Sequence, residues 1–322
     1  MREAFPLYDR FPTLRAIPRA EICTLPTPVE RVSIGGGREM LIKRDDLSAP
    51  VCGGNKARSL EFLLGGLKPG DGVITVGGAG STHVLSTAIH AARRGISTEA
   101  LRWRHDMNPA AEVVSARVNQ MLSLNPENSA ALAVIRARYR ATRSRARFIS
   151  IGGSVPLGVL GHVNAAFEIA GQIERGEMPQ PERIVLPLGS GGTTAGLLLG
   201  FSIAGLRIEI TGARVGPRFF VNRLAVLNLA RRTAQLIRAF GGKFSNRIDS
   251  SLLRIEHSAY GGAYGRQFAD ASRAADVLHE ASGIKLDDTY SAKAWLVAMR
   301  EQSVAKGHVL FLLTFDARCL TN

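Results

Sequence analysis

Cysteine is scarce in this chain: Cys23, Cys52 and Cys319 are the only three among 322 residues. So small, scattered and odd a set excludes a disulfide framework and points to a reducing compartment. The opening stretch MREAFPLYDRFPTLRAIPRAE is broken by prolines and charges and lacks the apolar core of a secretory leader, so the protein is expected to be cytoplasmic. No uninterrupted apolar stretch reaches the ~20 residues a membrane helix needs, and no membrane partner is expected. Repeats and low-complexity tracts are missing, and no metal site is expected because no zinc-ligand spacing occurs.

Lysine is the other scarcity. Seven lysines stand among 41 cationic residues, so the formal net charge of +14 is carried by arginine. The densest run, RARYRATRSRAR (136–147), puts Arg136, Arg140, Arg143 and Arg147 on one helical face. No aromatic-rich RNA-binding motif accompanies it; the run reads as a solvated face, and no nucleic-acid partner is expected.

What is present is an ordinary globular composition, 45% hydrophobic and 21% charged, with length enough for about two domains. Short β-like runs alternate with helical segments. GVITV (72–76), RIVLPL (183–188), LRIEITGARV (206–215) and HVLFLLTF (308–315) read as strands. VLSTAIHAARRG, LGVLGHVNAAFEIAGQIERG and LLLGFSIAG read as helices, whereas 100–147 reads as helices and loops. Such alternation predicts parallel sheets covered on both faces, with ligands at the loops that leave the carboxyl ends of strands.

Three loops could carry chemistry. In LPLGSGGTTAGLL, Gly189, Gly191 and Gly192 let backbone amides approach an anion, and Ser190, Thr193 and Thr194 add hydroxyls at a helix start. A P-loop would need a lysine, and a dinucleotide fingerprint would need glycine where Thr194 stands. A single phosphate monoester remains, against the alternative of a glycine-rich turn without a ligand. In VITVGGAGSTHVL, the amides of Ser81, Thr82 and His83 could hold a carboxylate, and the Ser81 hydroxyl could carry a proton; a plain N-cap serine explains the same letters. In CGGNKARSLEFLL, Lys56 opens a helix anchored by Leu60, Leu63, Leu64 and Leu67. There the macrodipole disfavours the ammonium form, as a nucleophilic amine requires, and arginine could not replace it. An amine nucleophile, a phosphate cup and a carboxylate cup together point to pyridoxal 5'-phosphate acting on a small amino acid. On that reading the glycines before Lys56 clear space for the cofactor and Asn55 meets its ring hydroxyl.

With these residues in view, the chain resembles the D-cysteine desulfhydrase and 1-aminocyclopropane-1-carboxylate deaminase family. The resemblance rests on KRDDLSAPVCGGNKARSLEFLL, GGSVPLGVLGHVNAAFEIA, LGSGGTTAGLL, GGAYG and LDDTYSAKA, in that order. It implies an α/β fold of two open, twisted, mostly parallel sheets flanked by helices, the tryptophan-synthase-β-like fold type II. It implies a large cofactor-binding domain of residues 1–52 and 166–322, a small mobile domain of 53–165, and a homodimer. Lys56 is the implied Schiff-base lysine and Asn55 the ring-hydroxyl ligand; residues 189–193 would hold the phosphate. Tyr264 and Tyr290 correspond to tyrosines that face the substrate, and Ser291 to the group at the pyridine nitrogen. Deaminases of the family place a glutamate there and desulfhydrases a threonine, so Ser291, His83 and KRDD lean towards the desulfhydrase branch. A neutral hydroxyl at that nitrogen is expected to favour loss of a good β-leaving group over cyclopropane opening. The implied activity is a lyase reaction giving pyruvate, ammonia and hydrogen sulfide; the alternatives are ring-opening deamination and a catalytically silent relative that binds the cofactor. Thr82 stands where relatives have asparagine, and the last strand keeps only Thr314 of the usual Thr-Gly-Gly.

Overall fold

Two short runs, VERVS and EMLIK, flank the glycine-rich turn at 34–38 and pair as an antiparallel hairpin, β1 (Val29–Ser33) and β2 (Glu39–Lys43). Every other strand pairing among the described residues is parallel, apart from an isolated bridge between Gly54 and Phe315. The structure is a computed structural model and describes residues 5–105, 107–123, 125–245, 247–261 and 268–320. Tyr264 lies outside the described residues.

The remaining strands are β3 (Gly72–Gly78), β4 (Ser97–Trp103), β5 (Pro126–Glu127), β6 (Arg147–Ile149), β7 (Arg183–Leu188), β8 (Glu209–Arg214), β9 (Leu253–Glu256) and β10 (Val309–Leu312). They form a six-stranded sheet in the order β1-β2-β10-β7-β8-β9 and a four-stranded sheet in the order β5-β4-β3-β6. The helices are α1 (Pro6–Arg10), α2 (Asn55–Leu63), α3 (Thr82–Ala92), α4 (Pro109–Met121), α5 (Ala130–Ser144), α6 (Pro156–Glu174), α7 (Gly192–Ala204), α8 (Arg223–Ala239), α9 (Ala269–Ser282) and α10 (Ser291–Val304). This is the pair of mostly parallel, helix-flanked sheets expected from the sequence. Met40–Ile42, Ile184–Leu186 and Val309–Leu312 are buried throughout, as strands covered on both faces must be.

The segment 100–147 departs from its reading as helices and loops, because most of β4, all of β5 and the first residue of β6 lie in it. Charged residues hide the strand signal. Arg102 in β4 is buried with its guanidinium on Asn119, and Arg147 in β6 reaches the Leu63 and Gly65 carbonyls at 2.9 and 2.7 Å. Arg136, Arg140 and Arg143 lie on the outer face of α5, whose Ala133, Ala137 and Ala141 face inward. Arg147, expected on that same helical face, lies beyond the helix in β6, because α5 ends at Ser144 and Arg145 turns the chain in the left-handed region. Arg136 pairs with Glu127 at 2.9 Å, Arg140 pairs with Glu99, and Arg138 lies over the Phe148 ring.

A charged cluster lies inside the molecule where α2, α6 and β2 meet. The Arg58 guanidinium clamps Asp45 with two bonds of 2.8 and 2.7 Å and reaches Glu168 Oε2 at 3.0 Å. Lys43 Nζ donates to Glu168 Oε1 at 2.5 Å, to the Thr27 carbonyl at 2.5 Å and to Gln172 at 2.7 Å. All four charged groups are essentially inaccessible to solvent. Burial alone would raise the Glu168 carboxyl, but Arg58 and Lys43 outweigh it and bring it down to about 2.

Removing Arg58 strands two buried carboxylates, so Arg58→Ala is expected to cost about 3–5 kcal/mol in urea unfolding at pH 7. Glu168 is held below its unfolded value of about 4.3, so its contribution, on the order of 3 kcal/mol, is complete above that pH. It should be lost as pH falls from there through about 2, and Glu168→Gln should flatten this part of the acid dependence. Wild-type stability that did not fall between pH 5 and 2 would contradict the assignment.

Candidate active site

Helix α2 begins where the chain is pressed against the end of β10. Gly54 has φ +112°, and a Cβ there would overlap the Thr314 carbonyl oxygen, which accepts from the Asn55 amide at 2.9 Å. The glycine before Asn55-Lys56 therefore serves a close backbone approach, which corrects the expectation that it clears space for a cofactor. Thr314 takes part through its carbonyl.

The first turn of α2 projects two side chains toward other loops. Asn55 Nδ2 donates to Thr193 Oγ1 at 2.9 Å, joining α2 to the start of α7. Lys56 Nζ has one long contact, 3.3 Å to the Gly152 carbonyl. Among the described residues, protein atoms crowd it without supplying a counter-ion, and burial alone lowers the amine to about 8. Behind it stand two neutral imidazoles. His83 Nε2 bonds Thr75 Oγ1 at 3.1 Å and His162 Nε2 bonds Ser59 Oγ at 2.9 Å. Burial, assisted by the charge on Lys56, pushes His83 down to about 3 and His162 well below the usual imidazole range.

The loop after β6 closes the side of this space. Gly152 has φ +65°, and a Cβ there would overlap Ser190 Oγ while standing 3.6 Å from Lys56 Nζ. Ser154 donates to Ser190 at 2.7 Å, so residues 152–154 fasten the 189–193 loop beside the amine. Neither Gly152 nor Ser154 was singled out from sequence. The paired glycines of ISIGGSVP were the available signal.

The 189–193 loop leaves the carboxyl end of β7 and enters α7 through Gly191, in the left-handed region with φ +86° and no side-chain cap. Its first-turn amides are therefore not capped by a local side chain, and the helix dipole is positive there. Beside it, the Thr194 hydroxyl is buried without a hydrogen-bond partner. A Cβ on Gly189 would meet nothing nearer than the Tyr290 ring at 4.0 Å. The 189–193 loop thus has the Lys56 amine beside it, across Gly152, and an uncapped helix start at its end. These residues fit a flat carbonyl cofactor with a phosphate tail.

The other predicted residues fall at two further helix starts. Ser81 caps α3 and accepts weakly from the Val84 amide at 3.4 Å. Thr82 and His83 are buried, and the His83 ring points into the interior, leaving its amide as what it can offer a ligand. Tyr290 precedes α10. Ser291 is fully buried and its hydroxyl donates to Asp287, a residue within the LDDTYSAKA motif to which the sequence assigns no role.

The profile of the family described as pyridoxal-phosphate dependent enzyme matches residues 21–314. Nocardicin C-9' epimerase of Nocardia uniformis subsp. tsuyamanensis is 34% identical over 318 residues, covering 94% of each chain. D-cysteine desulfhydrase of Salmonella paratyphi A is 31% identical over 297 residues, covering 87% of each. Among solved structures, an ACC deaminase homologue matches with a TM-score of 0.78 and 27% identity, covering 98% of this chain and 95% of that one.

The state of Lys56 gives a direct test. With its amine near 8, roughly a tenth is free at pH 7, against less than a thousandth for an exposed lysine near 10.4. Capture of pyridoxal phosphate, trapped by borohydride and mapped by mass, should occur on Lys56 and speed up through pH 8. Lys56→Ala should abolish it with the circular dichroism unchanged. Capture on another lysine, or a midpoint near 10, would move the site elsewhere.

Proposed function

We propose, from the premise that the chain belongs to the pyridoxal-phosphate-dependent enzyme family, that it is a lyase with D-cysteine as substrate. It works in the cytoplasm as a homodimer and releases pyruvate, ammonia and hydrogen sulfide. The observation that carries the reading is the lone Lys56 amine, without a counter-ion and set beside the 189–193 loop.

Lys56 would hold the cofactor through its aldehyde. Asn55, already at Thr193, meets the ring hydroxyl, and the amides of Gly189, Ser190, Gly191, Gly192 and Thr193 carry the phosphate. Bound there, pyridoxal phosphate supplies the electron sink into which the α-carbon's bonding pair moves when the proton leaves. The amides of Ser81, Thr82 and His83 hold the substrate carboxylate at the start of α3, and Tyr290 lines the substrate space, a role the resemblance alone extends to Tyr264. Displaced by the substrate amine, Lys56, with its amine lowered to about 8, is the base that removes the α-proton, through the fraction of it that is unprotonated near neutral pH. Thiolate leaves from the β-carbon, and water completes the conversion of the three-carbon remainder to pyruvate and ammonia. Ser291 meets the ring nitrogen and Thr314 closes the wall behind it. The 81–83 loop follows the small sheet and the 189–193 loop follows the large one. We read residues 53–165 as a unit that closes over the substrate against residues 1–52 and 166–322.

Likeness to an epimerase supports a second reading, in which the α-proton returns on the opposite face and nothing leaves. Ring-opening deamination is the third. One panel separates them. The expected result is pyruvate from D-cysteine, with kcat/KM above that for 1-aminocyclopropane-1-carboxylate, because thiolate leaves more readily than a carbon of a strained ring. Racemised amino acid without pyruvate would favour the epimerase reading, and a higher kcat/KM on the cyclopropane would favour the deaminase.

A further inference from the structure

Three donors converge on the carboxylate of Asp287, which is 3% exposed in the turn ahead of α10. Oδ1 accepts from the Tyr290 amide at 2.8 Å; Oδ2 accepts from the Ser291 amide at 3.1 Å and from the Ser291 hydroxyl at 2.5 Å. Two backbone amides and a hydroxyl, at the positive end of a 14-residue helix, are surroundings that suit an ionised carboxylate. Burial, with the Asp288 charge beside it, raises the Asp287 carboxyl overall, and the bonds from Ser291 and Tyr290 pull against that rise without cancelling it. Nearby on the same helix, Lys293 is buried, its Nζ without a hydrogen-bond partner among the described residues, and it feels the opposite charge of Asp287. The O–H···O distance of 2.5 Å is that of a charge-assisted bond.

The consequence falls on Ser291. A serine has one proton to donate, and here that proton is committed to Asp287. The Ser291 oxygen keeps only lone pairs for whatever else it meets. We propose that Asp287 is a positioning residue that acts through Ser291 to hold the cofactor's ring nitrogen in its protonated form. This rests on the reading, given above, that Ser291 meets that nitrogen.

A hydroxyl with a free proton would donate to an unprotonated nitrogen. One whose proton is held by a carboxylate can only accept, and only a protonated nitrogen has a hydrogen to give. The negative charge one oxygen further back stabilises the same state through space. Residue type alone had made position 291 a neutral group without support for a charged ring. The arrangement instead makes the serine and the aspartate a single acceptor with a carboxylate's charge behind it.

The test is the nitrogen NMR resonance of isotopically labelled pyridoxal phosphate in the holoenzyme, which separates protonated from unprotonated ring nitrogen without turnover. The wild type is expected at the protonated position. Asp287→Asn keeps an oxygen to cap the helix, and its resonance is expected to move to the unprotonated position, with kcat lowered about 10- to 100-fold and KM nearly unchanged. Ser291→Ala tells the two readings apart. If it leaves the resonance unmoved, Ser291 does not meet the nitrogen and the underlying reading fails. If Ser291→Ala moves the resonance and Asp287→Asn does not, the role of Asp287 is overturned. An unprotonated nitrogen in the wild-type holoenzyme overturns it even if Asp287→Asn does not fold.

Discussion

The fixed point of this structure is the Arg58 guanidinium. It lies in the interior, two residues beyond Lys56, and its bonds to Asp45 and Glu168 join α2 to the turn after β2 and to α6. Buried charges tolerate little displacement, because a lost partner exposes the full desolvation penalty of the group that remains. Two cations and two carboxylates, with Thr27 and Gln172 completing the shell, therefore hold the first turn of α2 in one place. The position of the Lys56 backbone follows from that.

Satisfaction of this kind stops at the candidate site. Lys56 has one long contact, the Thr194 hydroxyl has no partner, and α7 starts on a glycine that cannot cap it. Polar groups left short of partners beside a fully satisfied network are what a ligand-binding cradle requires, since a bound phosphate and carbonyl can complete them. Within the candidate site the loop at Gly152–Ser154 joins its two sides, touching Ser190 on one and Lys56 on the other. Rigidity comes from the ion cluster, and reactivity from the groups left incomplete.

Scarcity of lysine proved an informative but incomplete guide. It drew attention to Lys56, yet Lys43 and Lys293 are also buried, and Lys43 belongs to the structural cluster. The KRDD motif that leaned towards one branch of the family supplies the interior ion pairs through Lys43 and Asp45, and a surface-facing clamp in which Arg44 bonds Asp46 and Glu30. A motif can thus mark a family by its scaffold as well as by its chemistry. Sequence alone gives no means of separating the two, because both demand charged residues in fixed order.

By itself the sequence determined the features that depend on near neighbours. The alternation of strand and helix, the glycine spacing of the 189–193 loop, the helix starting at Asn55-Lys56 and the outward arginines of α5 are all set within a few residues by backbone preference and periodicity. Tertiary structure decided whatever required distant segments to meet. Arg58 and Glu168 are 110 positions apart, Gly54 is a glycine because of Thr314, and Gly152 because of Ser190. The inward turn of the His83 ring and the commitment of Ser291's proton to Asp287 are of the same kind. Side-chain direction is settled by which partner lies within hydrogen-bond reach once the chain has folded, and residue type records the capacity for a bond without recording its recipient.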